Sequence, residues 1–180
     1  MGRRGLHVIA RVLAGALAAT AVSGCQLVGP DPEATSLPAV FGARMTDGKL
    51  ALSTGTPCDE VSRVVVLFTP DAGRLTLAPV RGTARFDQLT VGGPYDGLQV
   101  TERLPAGFDW RTAEEVTLIV TAPEGSGSTP TRISEIVEGS PRHDPDTFYF
   151  AGIGWLDAQQ VAERNRRSLL TICTTDPAKQ

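Results

Sequence analysis

The chain has 180 residues, with 17 lysines and arginines against 20 aspartates and glutamates, three cysteines and two histidines. This length suits one domain behind a leader, and the excess of acids argues against a nucleic-acid-binding protein. Two histidines are too few for a metal site built from several imidazoles, and the sequence holds neither a C-x-x-C nor an H-E-x-x-H motif.

The first 24 residues have the composition of an export signal. They carry three arginines and no acid, and residues 12–24 are uncharged and small or apolar. A membrane-spanning helix needs about 20 apolar residues, and the polar, proline-containing segment that follows leaves no room for one. We therefore expect residues 1–24 to be removed.

The signal ends in Val22-Ser23-Gly24-Cys25, which resembles the lipobox of bacterial lipoproteins. In that family a diacylglyceryl group is attached to the cysteine thiol, and the chain is cut just before it. The resemblance implies a lipid at Cys25 and residence on the extracytoplasmic face of the cell membrane. The alternative is that Cys25 is an ordinary cysteine at the start of the mature domain.

The lipobox, together with an Ala-, Gly- and Arg-rich, Lys-poor composition, resembles small uncharacterised lipoproteins of high-GC Gram-positive bacteria. That resemblance implies a location in the cell envelope and no particular activity.

The mature chain divides into an extended tether, residues 25–38, and a single β-rich domain, residues 39–180. Without the three leader arginines, 14 basic residues remain against 20 acidic ones, so the formal charge is −6. No cluster of lysines or arginines stands next to Cys25 in the sequence. These two facts argue against nucleic acid as a partner and against binding of anionic lipid through a basic patch.

Short segments of strand character recur along the domain, separated by turn residues. We predict strands at residues 49–53, 64–68, 74–77, 86–91, 98–101, 115–121, 131–137, 147–151 and 168–174. One helix is predicted near the C-terminus, where Asp157 and Gln160 have the spacing of a capping box and Leu156 and Val161 that of a hydrophobic staple. The pattern predicts a mainly β fold, an antiparallel β-sandwich with a small barrel as the alternative.

Two cysteines, Cys58 and Cys173, remain in the domain. An even pair in an oxidising compartment favours a disulfide, and a redox site would need the C-x-x-C spacing that is absent. The bond would close a loop of 115 residues, which the chain-entropy model values at about 4–5 kcal/mol.

His143 is the one histidine of the mature chain, so it is the candidate base of a hydrolase that also uses a distant serine and acid. No G-x-S-x-G or S-x-x-K motif marks a nucleophile, and the surrounding sequence PRHDPDTFY favours an exposed turn. Asp144 and Asp146 offer oxygen ligands for calcium, but that ion takes six to eight. We therefore assign no catalytic residue, no metal and no cofactor.

An aromatic group lies near residue 150. On a strand, Phe148 and Phe150 share one face and Tyr149 takes the other, so Tyr149 is expected to be more exposed. Tyr149, Trp155, Trp110 and His143 are the candidate ligand contacts, as a platform for a sugar or a peptide; the alternative is that the aromatic residues belong to the core.

The function predicted first is a lipid-anchored binding or protein-interaction module of the cell envelope, with an envelope protein or the cell wall as its partner. The alternatives are the His143 hydrolase and an accessory subunit of an envelope complex. A hydrolase requires His143 within hydrogen-bond reach of a serine, and an accessory subunit predicts a broad exposed apolar patch.

Overall fold

A computed structural model describes residues 36–70, 73–125 and 127–179. The leader (1–24), Cys25 and most of the predicted tether (25–38) lie outside the described residues, so the expectations for them stay predictions. No helix within the described ranges is long and apolar enough to cross a membrane.

The described residues form twelve strands and two short α-helices. The strands are β1 (Ala39–Val40), β2 (Gly42–Thr46), β3 (Lys49–Val61), β4 (Arg63–Thr69), β5 (Gly73–Pro79), β6 (Ala84–Thr90), β7 (Leu98–Glu102), β8 (Glu115–Thr121), β9 (Thr131–Arg132), β10 (Phe148–Phe150), β11 (Gly154–Leu156) and β12 (Leu170–Thr171). The helices are α1 (Ile133–Gly139) and α2 (Ala158–Arg164).

Two five-stranded antiparallel sheets make up the sandwich. The first has the strand order β11-β10-β2-β3-β6 and the second β7-β5-β4-β8-β9. A separate parallel pair, β1 and β12, joins the start of the domain to its last strand. The predicted antiparallel β-sandwich is confirmed, and the chain does not form the alternative barrel.

Alternating side chains of β4 and β8 fill the space between the sheets. Their register places three pairs opposite each other, Val64 and Val120, Val66 and Leu118, and Phe68 and Val116. None of the six is more than 1% exposed. Burying an aliphatic or aromatic side chain fully contributes about 1.5–3 kcal/mol, so these pairs alone favour this alignment strongly.

Helix α2 covers a second, smaller core. Leu156 and Val161, the predicted staple, are both buried there, with Phe150 and Leu169. Asp157 Oδ1 accepts from Gln160 N at 2.7 Å, and Gln160 Oε1 accepts from Asp157 N at 3.1 Å. The predicted C-terminal helix and its capping box are therefore confirmed.

Two strand predictions are wrong in extent. Residues 131–137 were expected to form a strand, but only Thr131–Arg132 pair with β8, and α1 follows at once. Ile133 and Ile136, three residues apart, are 2% and 0% exposed, so helical spacing buries them where strand spacing would separate them. Of the closing strand predicted at 168–174, only Leu170–Thr171 form a strand.

The predicted disulfide is present between Cys58 and Cys173, whose Cα atoms are 5.3 Å apart and whose separation in the sequence is 115 positions. Cys58 lies in β3, and Cys173 follows β12 by two residues. Thr56 and Thr171 hydroxyls also form a hydrogen bond at 2.5 Å, so β3 and the C-terminal segment are joined by covalent and polar contacts together.

Candidate binding site

Helix α1 lies between the two sheets at the side where β9 and β10 stand. It contacts β2 and β10 of the first sheet, β9 of the second, and the 3-10 turn Trp110–Thr112. The buried Ile133 and Ile136 fix its inner face, which leaves Ser134, Glu135 and Glu138 exposed. Helix α1 therefore presents a polar outer face between elements of both sheets.

The segment that follows α1 is held by a buried arginine of β2. Arg44 is 7% exposed, and its Nη1 donates to the backbone carbonyls of Asp144 and Thr147, both at 2.6 Å. Its Nη2 donates to the carbonyl of Ser140 at 3.4 Å. One guanidinium thus spans residues 140–147, because its donors form a fixed fork that several carbonyls can share.

Ser140 strengthens the same junction. Its hydroxyl donates to the carbonyl of Ile136 at 2.6 Å and accepts from Met45 N at 2.8 Å. The end of α1 is therefore bonded directly to β2. This hydroxyl is fully engaged in structural contacts.

Three of the four candidate ligand contacts meet beside this segment. The His143 ring stacks on the Trp155 indole with centroids 4.5 Å apart and planes 10° from parallel, and the Tyr149 ring lies 5.7 Å from Trp155. Tyr149 and Trp155 are direct cross-strand partners on β10 and β11. A Cβ at Gly139 would overlap the Trp155 indole, so that glycine allows the helix end to approach the ring.

Trp110 does not join this cluster. It is 8% exposed and belongs to the main core, and the Arg111 guanidinium lies 4.8 Å from its ring. Arg111 also pairs with Asp109 at 3.3 Å. A platform that combines Trp110 with Trp155 is therefore not what the fold assembles.

Two neighbouring grooves lie around the start of α1. The larger, which we call the α1 groove, has a volume of about 640 Å³ and a floor that includes Ala113, Ile133 and Val137. The smaller has a volume of about 430 Å³ and reaches Tyr149 and Pro38. Glu115 and Arg132 line both, so the two grooves are neighbours.

Carboxylates dominate the rim of these grooves. The charged side chains are Glu114, Glu115, Glu135 and Glu138 against Arg111 and Arg132. Of the ion pairs found among the described residues, one involves this set, and it joins Arg111 to Asp109 outside the grooves. The α1 groove therefore combines an apolar floor with a negatively charged rim.

Tyr149 connects the aromatic cluster to the smaller groove. Burial raises the pKa of its hydroxyl above the ordinary 10.0, and a hydrogen bond to the Glu135 carboxylate raises it further. A hydrogen bond with the backbone of Gly152 and the charge of Arg132 oppose this rise. The surroundings of the phenol therefore favour its neutral form, while Glu135 and Arg132 shift its pKa in opposite directions.

The geometry does not support the hydrolase alternative. His143 is exposed, and no hydrogen bond among the described residues joins its ring to a serine. Asp144 and Asp146 are exposed beside it, and within the described ranges no three His, Cys, Asp or Glu residues are grouped to hold a metal ion. The accessory-subunit alternative predicts a broad exposed apolar patch. Among the described residues one large hydrophobic side chain is exposed, that of Val80, and a single residue does not make a broad patch.

Sequence reasoning missed Arg44 and the groove carboxylates. Arg44 stands in the strand sequence GARMT, where an arginine is usually expected to face solvent. The sequence predicts a strand at residues 131–137, and a strand gives no reason to expect Glu135 and Glu138 on one rim with Glu114 and Glu115. Only the helical spacing of Ile133, Ile136 and Val137 could have revealed this arrangement.

Comparison of the chain with protein-family models, with curated protein sequences and with solved structures found no match.

Proposed function

We propose that the mature protein is a lipid-anchored binding module on the extracytoplasmic face of the cell membrane, and that its α1 groove binds a positively charged protein segment of the envelope. The anchor is Cys25, for which the lipobox Val22-Ser23-Gly24-Cys25 is the support. The Cys58–Cys173 disulfide supports a compartment that is oxidising.

The composition of the α1 groove carries the binding proposal. An apolar floor beneath a charged rim is the arrangement of a protein-interaction surface, in which the floor supplies contact area and the rim supplies specificity. Three glutamates, Glu114, Glu115 and Glu138, line the α1 groove against two arginines, and one of these, Arg111, is already paired with Asp109. A partner with lysine or arginine side chains next to apolar ones complements this surface.

The anchor is tested on the native protein by mass spectrometry of its N-terminal peptide and by labelling with radioactive fatty acid. We expect a diacylglyceryl-modified Cys25 at the new N-terminus and no label in a Cys25→Ala variant. An unmodified thiol, or a retained leader, would refute the proposed location.

The groove is tested by placing a photo-crosslinking amino acid at Ser134, which lines it, and at the exposed Gln99 of β7 as a control. In intact cells we expect the Ser134 probe to capture one protein and the Gln99 probe not to. The captured contact should be a basic segment of that protein, as read from the crosslinked peptide.

Charge-reversal variants distinguish specific from nonspecific crosslinking at the Ser134 probe. Glu114→Lys together with Glu138→Lys should abolish the crosslink, whereas Glu163→Lys on the exposed side of α2 should leave it intact. Equal capture by all variants, or capture of a wall fragment instead of a protein, would contradict the proposed partner.

A further inference from the structure

Three exposed arginines lie at the end of α2 and in the turn that follows it. Arg164, Arg166 and Arg167 are all exposed, and no ion pair among the described residues involves them. The acid that precedes them, Glu163, accepts a hydrogen bond from Gln159 at 2.9 Å. We call these three residues the arginine patch.

A compact turn holds the arginine patch together. The amide of Arg167 donates to the carbonyl of Arg164 at 3.0 Å, and that of Arg166 donates to Leu169 at 2.9 Å. Arg166 itself has a φ of 66°, in the left-handed region, which the tight turn requires. The three arginine side chains therefore originate from one short, tightly folded stretch of backbone.

This area adjoins the point where the tether enters the domain. The amide of Leu170 donates to the carbonyl of Pro38 at 2.9 Å, and β12 pairs with β1 in the register Ala39 to Leu170. Arg167 and Leu170 are only three positions apart in the sequence, a path of at most about 10 Å. The chain therefore brings the patch beside residue 38, although more than 120 residues separate the two in sequence.

We propose that the arginine patch docks on an anionic lipid bilayer, beside the tether that links the domain to the same membrane. The inference rests on the proposed anchor, which keeps this pole of the domain within reach of lipid headgroups. Arginine forms bidentate bonds with phosphate, and each basic side chain near an anionic surface adds to the attraction. The tether itself carries Asp31 and Glu33, so the attraction must come from the folded domain.

Docking through this patch would also fix the orientation of the domain. The mature chain has a formal charge of −6, so an anionic membrane repels the chain as a whole while it attracts the patch. Attraction at the patch and repulsion of the rest of the domain together favour one orientation at the membrane over free rotation about the tether.

The test measures binding of the full chain carrying Cys25→Ala to vesicles of phosphatidylglycerol and phosphatidylcholine, and to vesicles of phosphatidylcholine alone. We compare Arg164→Gln/Arg166→Gln/Arg167→Gln with a matched control, Arg74→Gln/Arg81→Gln/Arg103→Gln. The control removes three exposed arginines on or near β5 and β7 and changes the net charge equally.

We expect salt-sensitive binding to the anionic vesicles that the patch variant loses by more than about tenfold and the control keeps within about twofold. Equal losses in both variants, or equal binding to neutral vesicles, would overturn the inference. Thermal unfolding of both variants shows that the fold is retained.

A second measurement uses the native protein with Cys25 in place, purified from cells and reconstituted into vesicles. Trypsin should cut after the patch arginines more slowly on anionic than on neutral vesicles, and unchanged cleavage would count against docking. Lipidation of Cys25 is read separately from the mass of the N-terminal peptide. An unmodified Cys25 with patch-dependent vesicle binding would refute the anchor and leave the docking intact. A lipidated Cys25 with equal cleavage after the patch arginines on anionic and neutral vesicles would refute the docking and leave the anchor intact.

Discussion

The imidazole of His143 lies flat on the indole of Trp155, with centroids 4.5 Å apart. This contact joins the loop after α1 to the edge strand β11, two segments that also meet through Gly139. It covers one face of the indole, so a flat ligand cannot occupy that face while the stack is formed.

Replacing His143 by alanine should expose Trp155 and cost about 0.5–1.5 kcal/mol of unfolding free energy, the usual contribution of a stacked aromatic pair. Acrylamide quenching of tryptophan fluorescence should increase, because the other tryptophan, Trp110, is only 8% exposed. Asp146→Ala, an exposed change in the same loop, should leave quenching as it is. Unchanged quenching in His143→Ala would mean that the stack is not populated in solution.

Arg44→Met should lower the unfolding free energy by about 2–3 kcal/mol, because the carbonyls of Ser140, Asp144 and Thr147 lose a charged donor. Urea unfolding measures the loss, and hydrogen exchange should quicken for the amides of residues 140–147. Arg103→Met, at an exposed position, should change stability by less than about 0.5 kcal/mol. Slow exchange at 140–147 in Arg44→Met would contradict the bridging role.

Replacing Cys58 and Cys173 together by serine should lower the unfolding free energy by about 2–5 kcal/mol, because a loop of 115 residues is no longer closed in the unfolded chain. Denaturant unfolding with and without reductant measures this. Reductant should destabilise the native protein and have no effect on the double variant. Equal stability of the two proteins would exclude a structural role for the bond.

Tyr149 should ionise at a higher pH than free tyrosine, as followed by tyrosinate absorbance. Burial and the Glu135 carboxylate both disfavour the phenolate, so Glu135→Gln should lower the raised pKa without restoring the ordinary value. Because the folded pKa is raised, this group stabilises the fold below pH 10 and that contribution fades as pH rises through the folded pKa. The transition that is missing in Tyr149→Phe is the one that belongs to Tyr149. If the pKa of that transition were the same in Glu135→Gln as in the parent protein, the contact with Glu135 would be contradicted.

The sequence predicted most strands because their apolar residues alternate. Strand β8 matches its predicted range of 115–121, where alternation is clean and turn residues bound the segment. The helix at Asp157 was predictable because a capping box is a local signal, satisfied within four residues. These elements depend little on the rest of the chain.

Helix α1 could not be assigned from local propensity alone. Thr131, Ile133, Ile136 and Val137 are β-branched and favour a strand, but the contacts of Ile133 and Ile136 with both sheets favour a helix. Packing between distant elements decided the outcome. The same holds for Arg44, whose acceptors lie about 100 residues away in the sequence.

The arginine patch shows how sequence distance conceals spatial proximity. No basic cluster stands beside Cys25 in the sequence, which argued against a basic patch next to the anchor. The β1–β12 pairing places the arginine patch near residue 38 in the fold, because it sets the end of the domain beside its beginning. Such a parallel pairing between two-residue strands leaves almost no periodic signal to detect.

Cys173 follows the two-residue strand β12, which is held by a short parallel pairing with β1. Such a short pair opens easily, but the bond to Cys58 in β3 keeps the segment after β12 next to the sandwich while the pairing is open. Re-forming the β1–β12 pair is then a local event with a small loss of chain entropy, rather than a search by an untethered segment.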